Sequence, residues 1–405
     1  MDIKARVEEM NRLAALCPCG NPHFLIHLEG SIASKAIQKV APYLVKRGIK
    51  HVTVVADRHT KEAAANLLLL ELANREVNFD LVILSENEQG DVAADEATLV
   101  EALLGIKDQS QAVLAVGSGT IHDIVRFASF KMKKSFISVP TAASVDGFVS
   151  AGAPLLIRGR KQTIQAASPD AIFADLDVLA LAPREMTAAG YGDMLGKYTS
   201  LADWQFSHAA ADEPFCPLAY NMTREALEDC VRNTTEIAAA TPAGIRLLTE
   251  ALIISGLSMQ LVDHSRPASG AEHHLSHMWE MALLQQGRRQ ILHGAKVGVA
   301  CIIISGLYEK LAMLAEDHEH PSSLQLFKII PSPEVLRALL REAGGPISIG
   351  ELGISRQLAE KALHTAHTIR DRSTGLRYFN EHELQIPLIT GLEESTKEGI
   401  INKYV

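Results

Sequence analysis

The chain has no excess of positive charge: 39 lysines and arginines face 48 acidic residues, a formal net charge of −9. Holding a phosphate backbone requires clustered positive charge, so nucleic acid is not expected as a principal partner. An anionic small substrate stays open, because net charge does not report on a local basic pocket. Long apolar runs are also missing. The longest, Val297 to Leu307, falls well short of the ~20 residues that span a bilayer. The opening segment MDIKARVEEMNRLAALC mixes both charge signs with apolar residues at helical spacing and has no apolar h-region, so no signal peptide is expected. Cysteine is scarce, with five residues and no CxxC pair, which argues against a disulfide framework. Cys17 and Cys19 flank Pro18 and read as reduced thiols near a turn in preference to a metal site. There is no internal repeat and no low-complexity tract. A cytoplasmic protein without membrane insertion is the expectation.

The chain is long enough, at 405 residues with 47% hydrophobic, to bury a large core in two or three domains. Its first half alternates apolar strands with amphipathic helices. Strands are expected at His23–Leu28, His51–Ala56, Phe79–Leu84, Ala112–Val116, Ser135–Val139 and Ile172–Asp175. Helices are expected over Ile32–Arg47, Lys61–Arg75 and Glu96–Leu104, with one more after Gly119. Apolar strands in βα alternation predict a parallel sheet covered on both faces. From Pro183 onward the pattern turns helical, with segments at Glu185–Ser207, Arg224–Ala240, Gly244–Val262, His274–Gln286, Lys296–Leu314 and Pro333–Ala343. The expectation is an α/β parallel-sheet nucleotide-binding domain over 1–182 and an all-α domain over 183–405.

Three strand ends carry polar clusters. Gly117-Ser118-Gly119-Thr120-Ile121-His122-Asp123 follows the Ala112 strand, where glycines and a helix N-terminus can receive a pyrophosphate. The spacing is GxGxxxD, so the usual GxGxxG fingerprint is absent. Asp57 ends the His51 strand, where a carboxylate can bond ribose hydroxyls and disfavour a 2′-phosphate. Pro140-Thr141-Ala142-Ala143-Ser144-Val145-Asp146-Gly147 follows the Ser135 strand. Each cluster alone suits an ordinary turn or cap. Three at one sheet edge favour a cofactor cleft.

Histidine carries the sharper signal. His264, His273, His274, His277 and His293 lie close together, and His273 and His277 share a face if their segment is helical. A metal site is preferred over a solvated histidine surface. Its carboxylate could be Asp193, in Gly190-Tyr191-Gly192-Asp193, although a salt bridge to Lys197 competes equally for that residue. Three ligands with one open position would make a catalytic site.

With these motifs in view, together with Ser265-Arg266-Pro267-Ala268-Ser269-Gly270-Ala271-Glu272-His273 and His293-Gly294, the chain resembles a known family. That family groups glycerol dehydrogenase, iron-containing alcohol dehydrogenases, dehydroquinate synthase and sn-glycerol-1-phosphate dehydrogenase. The likeness is strongest to the bacterial branch of the last and covers nearly the whole chain. It implies a two-domain fold with cofactor and metal in the cleft. Asp193, His273 and His293 would hold the metal, and His277, four residues on, selects His273 over His274. Asp57, Gly117, Ser118, Gly119, Thr120, Ile121, Asp123, Thr141, Ala142, Ala143, Ser144 and Ser150 would contact NAD, with NADP possible.

Asp146 and His277 would face the substrate as proton relays, Asp193 would lie against it, and Arg266 and Lys161 are candidates for its phosphate. The implied reaction is reversible reduction of dihydroxyacetone phosphate to sn-glycerol 1-phosphate by a homodimer. Zinc is usual in relatives, and nickel is plausible for the bacterial branch. Many relatives read His-Gly-Glu where this chain has His293-Gly294-Ala295, which removes a carboxylate from the metal's surroundings. The alternatives are a glycerol dehydrogenase acting on the unphosphorylated ketone and a non-catalytic metal- and nucleotide-binding scaffold. Dehydroquinate synthase is disfavoured because it places a glutamate where Asp193 stands.

Overall fold

The computed structural model describes residues 2–315 and 319–384. Expected helical residues beyond 384 lie outside that range. Six parallel strands form the main sheet: β1 (Glu29–Ala33), β2 (His51–Ala56), β3 (Asn78–Ile83), β4 (Ala112–Gly117), β5 (Ser135–Pro140) and β8 (Ala171–Asp175). Their spatial order is β1-β8-β5-β4-β2-β3. The central strand β4 is buried along its whole length, as its unbroken apolar run requires. Because β5, β4 and β2 are neighbours, the three polar strand ends noted above emerge side by side at one carboxyl edge.

Every strand of the described residues lies before residue 176, and helices dominate after Pro183, the N-cap of the helix Arg184–Leu195. Local sequence sets these helices. Thr241 accepts the Gly244 N–H at 3.0 Å and Pro242 opens the helix Pro242–Val262, a standard start for a helix. That helix and His293–Leu314 have the length and composition to cross a membrane, yet most of their residues are buried inside the fold. Here they are core.

Four expectations need correction. Ile32–Arg47 is not one helix: Ile32 and Ala33 end β1, and the helical turns begin at Ala36 and run to Lys46. His23–Leu28 is not a strand; β1 starts at Glu29. Asn11 takes both backbone groups of Ile26, and the Phe24 N–H bonds the Leu261 carbonyl, so no ladder forms. The Glu185–Ser207 segment divides at Gly196, where an added Cβ would meet Val297 at 2.6 Å. The Arg224–Ala240 segment starts earlier, at Pro217, and breaks at Asn233. A hairpin of β6 (Gly152–Ile157) and β7 (Arg160–Gln165) was not foreseen, because RKQTIQ is mostly polar. Its turn residues Arg158 and Gly159 both have positive φ, as a two-residue hairpin turn demands. The helices Arg356–Thr365 and Gly375–Glu381 were missed as well.

Glycines bring the parts together. A Cβ on Gly190 would sit 2.0 Å from the Ala143 carbonyl oxygen, and one on Gly294 would sit 1.8 Å from that of Ala189. The helix bearing Asp193 therefore lies directly against both the strand-end loop after β5 and the start of the His293 helix.

Helix propensity alone predicts that Gly190→Ala stabilises by about 1 kcal/mol. The close approach reverses the sign: destabilisation of about 3 kcal/mol is expected in chemical denaturation, as for other overpacked sites. A neutral or stabilising result would disprove that contact.

Candidate active site

Asp193 is fully buried on its helix, and His273 stands in the first turn of Ala271–Gln285. His293 opens the helix His293–Leu314. Ligand atoms from these three residues all lie within 4.8 Å of one another. The His273 and His293 ring centres are 5.1 Å apart, and His277 stands 6.1 and 6.0 Å from them. Of the five clustered histidines, the fold unites these three. His264 instead packs edge-on against Trp204, and His274 is buried with both ring nitrogens unbonded among the described residues.

The buried Glu272, which sequence reasoning passed over within its own motif, fixes the ring of His273. Its Oε1 is 2.7 Å from His273 Nδ1 and also accepts the Gly270 N–H, while Oε2 accepts the Thr199 hydroxyl at 2.6 Å. Burial favours protonation of Glu272, but the His273 and Thr199 bonds win and hold its pKa below the usual range. With Nδ1 occupied, Nε2 is the nitrogen left for a metal, the usual arrangement at histidine–metal centres. A carboxylate orients a histidine here although position 295 is alanine. His293 has Glu280 nearby; that carboxylate is tied to Lys161 at 2.8 Å and to Lys296 at 3.1 Å.

For Asp193 the structure shows the ion pair with Lys197, and it leaves the same carboxylate within reach of His273. Oδ1 pairs with Lys197 at 2.9 Å and lies 3.7 Å from His273 Nε2. Oδ2 accepts the Asp146 backbone N–H at 3.0 Å. Lys197 also reaches Asp146 Oδ2 at 2.8 Å, an oxygen bonded by the Ser255 hydroxyl. Burial opposes the charge on Lys197, yet Asp146 and Asp193 together raise its pKa.

At the sheet edge, Ser118 caps the helix Gly119–Met132 without spending its side chain, leaving N–H groups open to an anion. Gly117 has Ile121 so close that a Cβ would fall 2.6 Å away. Thr141, Ala142, Ala143 and Ser144 are buried beside it, with the Thr141 N–H on the Gly117 carbonyl at 3.0 Å. Asp57 forms a capping box with Thr60, accepting its N–H at 2.7 Å. Asp123 is paired with the buried Arg126 at 2.6 Å; burial pushes its pKa up to about 6 against the pull of Arg126. Arg126, also unforeseen, donates to the carbonyls of Gly147 and Gly152 and so pins the loop carrying Asp146 and Ser150.

The two cations nominated for a phosphate are both engaged: Lys161 with Glu280, and Arg266 with Glu213 at 2.7 Å. Arg370 was missed. It bonds the Ser265 hydroxyl at 2.8 Å, and among the described residues no carboxylate lies within ion-pair distance of it. His277 is held well below its ordinary pKa by burial first and then by the charges of Lys161 and Arg370.

Two substitutions test this architecture. Glu272→Gln is expected to weaken metal binding about 10–100-fold in chelator competition, the usual effect of losing a ligand's outer partner. Lys197→Met leaves two buried carboxylates unpaired and should cost about 3–5 kcal/mol of stability in the metal-free protein, part of which added metal restores.

Residues 31–183 match the family model described as iron-containing alcohol dehydrogenase. The chain is 46% identical over 395 residues to a protein from Geobacillus stearothermophilus named glycerol-1-phosphate dehydrogenase, NAD(P)+-linked, covering 93% of this chain and 98% of that one. A Bacillus subtilis strain 168 protein of the same name is 45% identical, covering the same 93% and 98%. A solved structure described as a probable glycerol dehydrogenase from Sinorhizobium meliloti 1021 aligns with TM-score 0.64 at 18% identity, covering 85% of this chain and 89% of that chain. That likeness speaks for the fold. Near-full-length identity carries more: the chain belongs to the glycerol-1-phosphate dehydrogenase family of the iron-containing alcohol dehydrogenases.

Proposed function

We propose that the protein catalyses the NAD(P)H-linked, metal-dependent interconversion of dihydroxyacetone phosphate and sn-glycerol 1-phosphate. Relatives named for glycerol 1-phosphate match over nearly the whole chain, which supports an oxidoreductase of that substrate over a scaffold or lyase. The glycerol dehydrogenase alternative is not favoured, since the likeness to that probable glycerol dehydrogenase structure is one of fold, at 18% identity.

Asp193, His273 and His293 suit a divalent ion, with two imidazoles and one carboxylate converging and His273 Nδ1 already engaged. We place zinc or nickel there, in a cytoplasmic homodimer. When bound, the ion supplies Lewis acidity toward the carbonyl oxygen and NAD(P)H supplies the hydride.

The chain's own groups do the rest. The open N–H groups after Ser118 would hold the pyrophosphate of a bound dinucleotide, and Asp57 would meet its ribose and favour NAD. Asp146, clasped by Lys197 and Ser255, holds position rather than moving protons. His277 stays neutral at ordinary pH and accepts the hydroxyl proton in the oxidising direction, returning it on reduction. A phosphate dianion nearby raises the basicity of that ring. Arg370, with no carboxylate partner among the described residues, is the observation that carries the phosphate reading. Lys161, whose charge also acts on His277, assists, while Arg266 is held by Glu213.

The test is NADH oxidation by metal-restored protein on dihydroxyacetone phosphate and on dihydroxyacetone. Turnover of the phosphate alone is expected. Arg370→Ala should raise KM for the phosphate about 10–100-fold, the worth of a charge-assisted hydrogen bond of about 1.5–3 kcal/mol, with kcat nearly unchanged. Equal turnover of the unphosphorylated ketone, or none of either with metal bound, would refute the assignment.

A further inference from the structure

The thiols of Cys17 and Cys19 were expected to lie near a turn, and they do: the first helix, Ile3–Ala15, ends just before them, and Gly20 turns the chain with φ of 72°. The fold adds partners from far along the chain. Cys216, buried at the N-cap of the helix Pro217–Arg232, and His23 converge on the same point. Cys17 and Cys216 sulfurs are 3.9 Å apart, His23 Nε2 is 3.2 Å from Cys216 and 3.6 Å from Cys19, and the four donor atoms all lie within 4.8 Å of one another.

We infer that Cys17, Cys19, His23 and Cys216 form a structural zinc site, separate from the catalytic centre. With Zn–S near 2.3 Å and Zn–N near 2.05 Å, the edges of a tetrahedron are about 3.8 Å between sulfurs and about 3.6 Å from sulfur to nitrogen. The observed separations of 3.9 and 3.6 Å match those edges, and the third, 3.2 Å between His23 and Cys216, is shorter by about 0.4 Å. Three thiols and one imidazole are a soft donor set that prefers zinc to magnesium or calcium. On binding, the three thiols release three protons to solvent and the imidazole binds neutral, leaving the cluster with one net negative charge. All four positions are filled by protein, so the site has no place for substrate and its role is structural.

The surroundings are already prepared for such a clasp. The Asn21 side chain donates to the Phe215 carbonyl at 2.8 Å, and the Ala219 N–H points at Cys216 Sγ at 3.5 Å. The ion would join segments 199 residues apart, fastening the first helix to the helical region. It would also steady the loop in which Glu213 takes both Arg266 and the Ser373 N–H.

Metal analysis of the full-length protein, with zinc replaced by cobalt for spectroscopy, tests this without reference to turnover. Wild type should carry two ions per chain and show a near-ultraviolet thiolate-to-cobalt charge-transfer band. Cys19→Ser should lose one ion, the band and several degrees of melting temperature, whereas Asp193→Ala should lose the other ion and keep the band. If the Cys19 variant does not fold, alkylation of wild type decides: Cys17, Cys19 and Cys216 should react slowly with zinc and rapidly after chelation. A missing band with unchanged zinc in Cys19→Ser, equal alkylation rates, or a Cys17–Cys216 disulfide in protein kept under reductant would each overturn the site.

Discussion

One buried ammonium group holds the catalytic region together. Lys197 is wholly enclosed and bridges Asp146, from the loop after β5, to Asp193, from the helical region. Without it, two carboxylates would stand together in a dry interior with no opposite charge between them. The backbone N–H of Asp146 on Asp193 Oδ2 adds a direct link between the same two segments. Sheet edge and histidine cluster are therefore placed relative to each other by charge, within a frame that glycine makes close enough.

That closeness explains the Gly190-Tyr191-Gly192-Asp193 segment. A helix with two glycines in three residues is weak by propensity. Here each absent side chain admits a neighbouring carbonyl: that of Ala143 at Gly190, and that of Gly294 at Gly192. Local stability is given up so that Asp193 can reach His293.

Much of the α/β half was legible because its strands are uninterrupted apolar runs with a period matched to burial on both faces. His51–Ala56 appears with the bounds expected, and Ser135, Ala112 and Ala171 begin strands within a residue of expectation. The hairpin of β6 and β7 was not legible, since only one of its faces is covered. His23–Leu28 misled for the opposite reason: its apolar residues are real, but Phe24 and Leu25 are largely exposed and the backbone is bound by Asn11. In the site, Asp193, His273, His277 and His293 stood out by residue type and spacing. Arg370 and Cys216 did not, nor did the bonds of Arg126 to the Gly147 and Gly152 carbonyls, because these partners lie at a distance in sequence that no local pattern records. Glu272 could have been found: an acid immediately before a candidate ligand histidine can orient it only if the helix starts there, and Gly270 marks that start.

On the proposed function, Asp57 does two jobs with two oxygens. Oδ1 is committed to the Thr60 N–H, closing the helix that follows β2, so a change at this position is felt by folding as well as by recognition. Asparagine and serine can still cap while removing the charge that repels a 2′-phosphate; alanine removes both. The routes by which such an enzyme can drift between the two dinucleotides are thus narrowed by a helix terminus. Codon-level neighbours that relax cofactor choice are open to evolution here only where they also remain good caps.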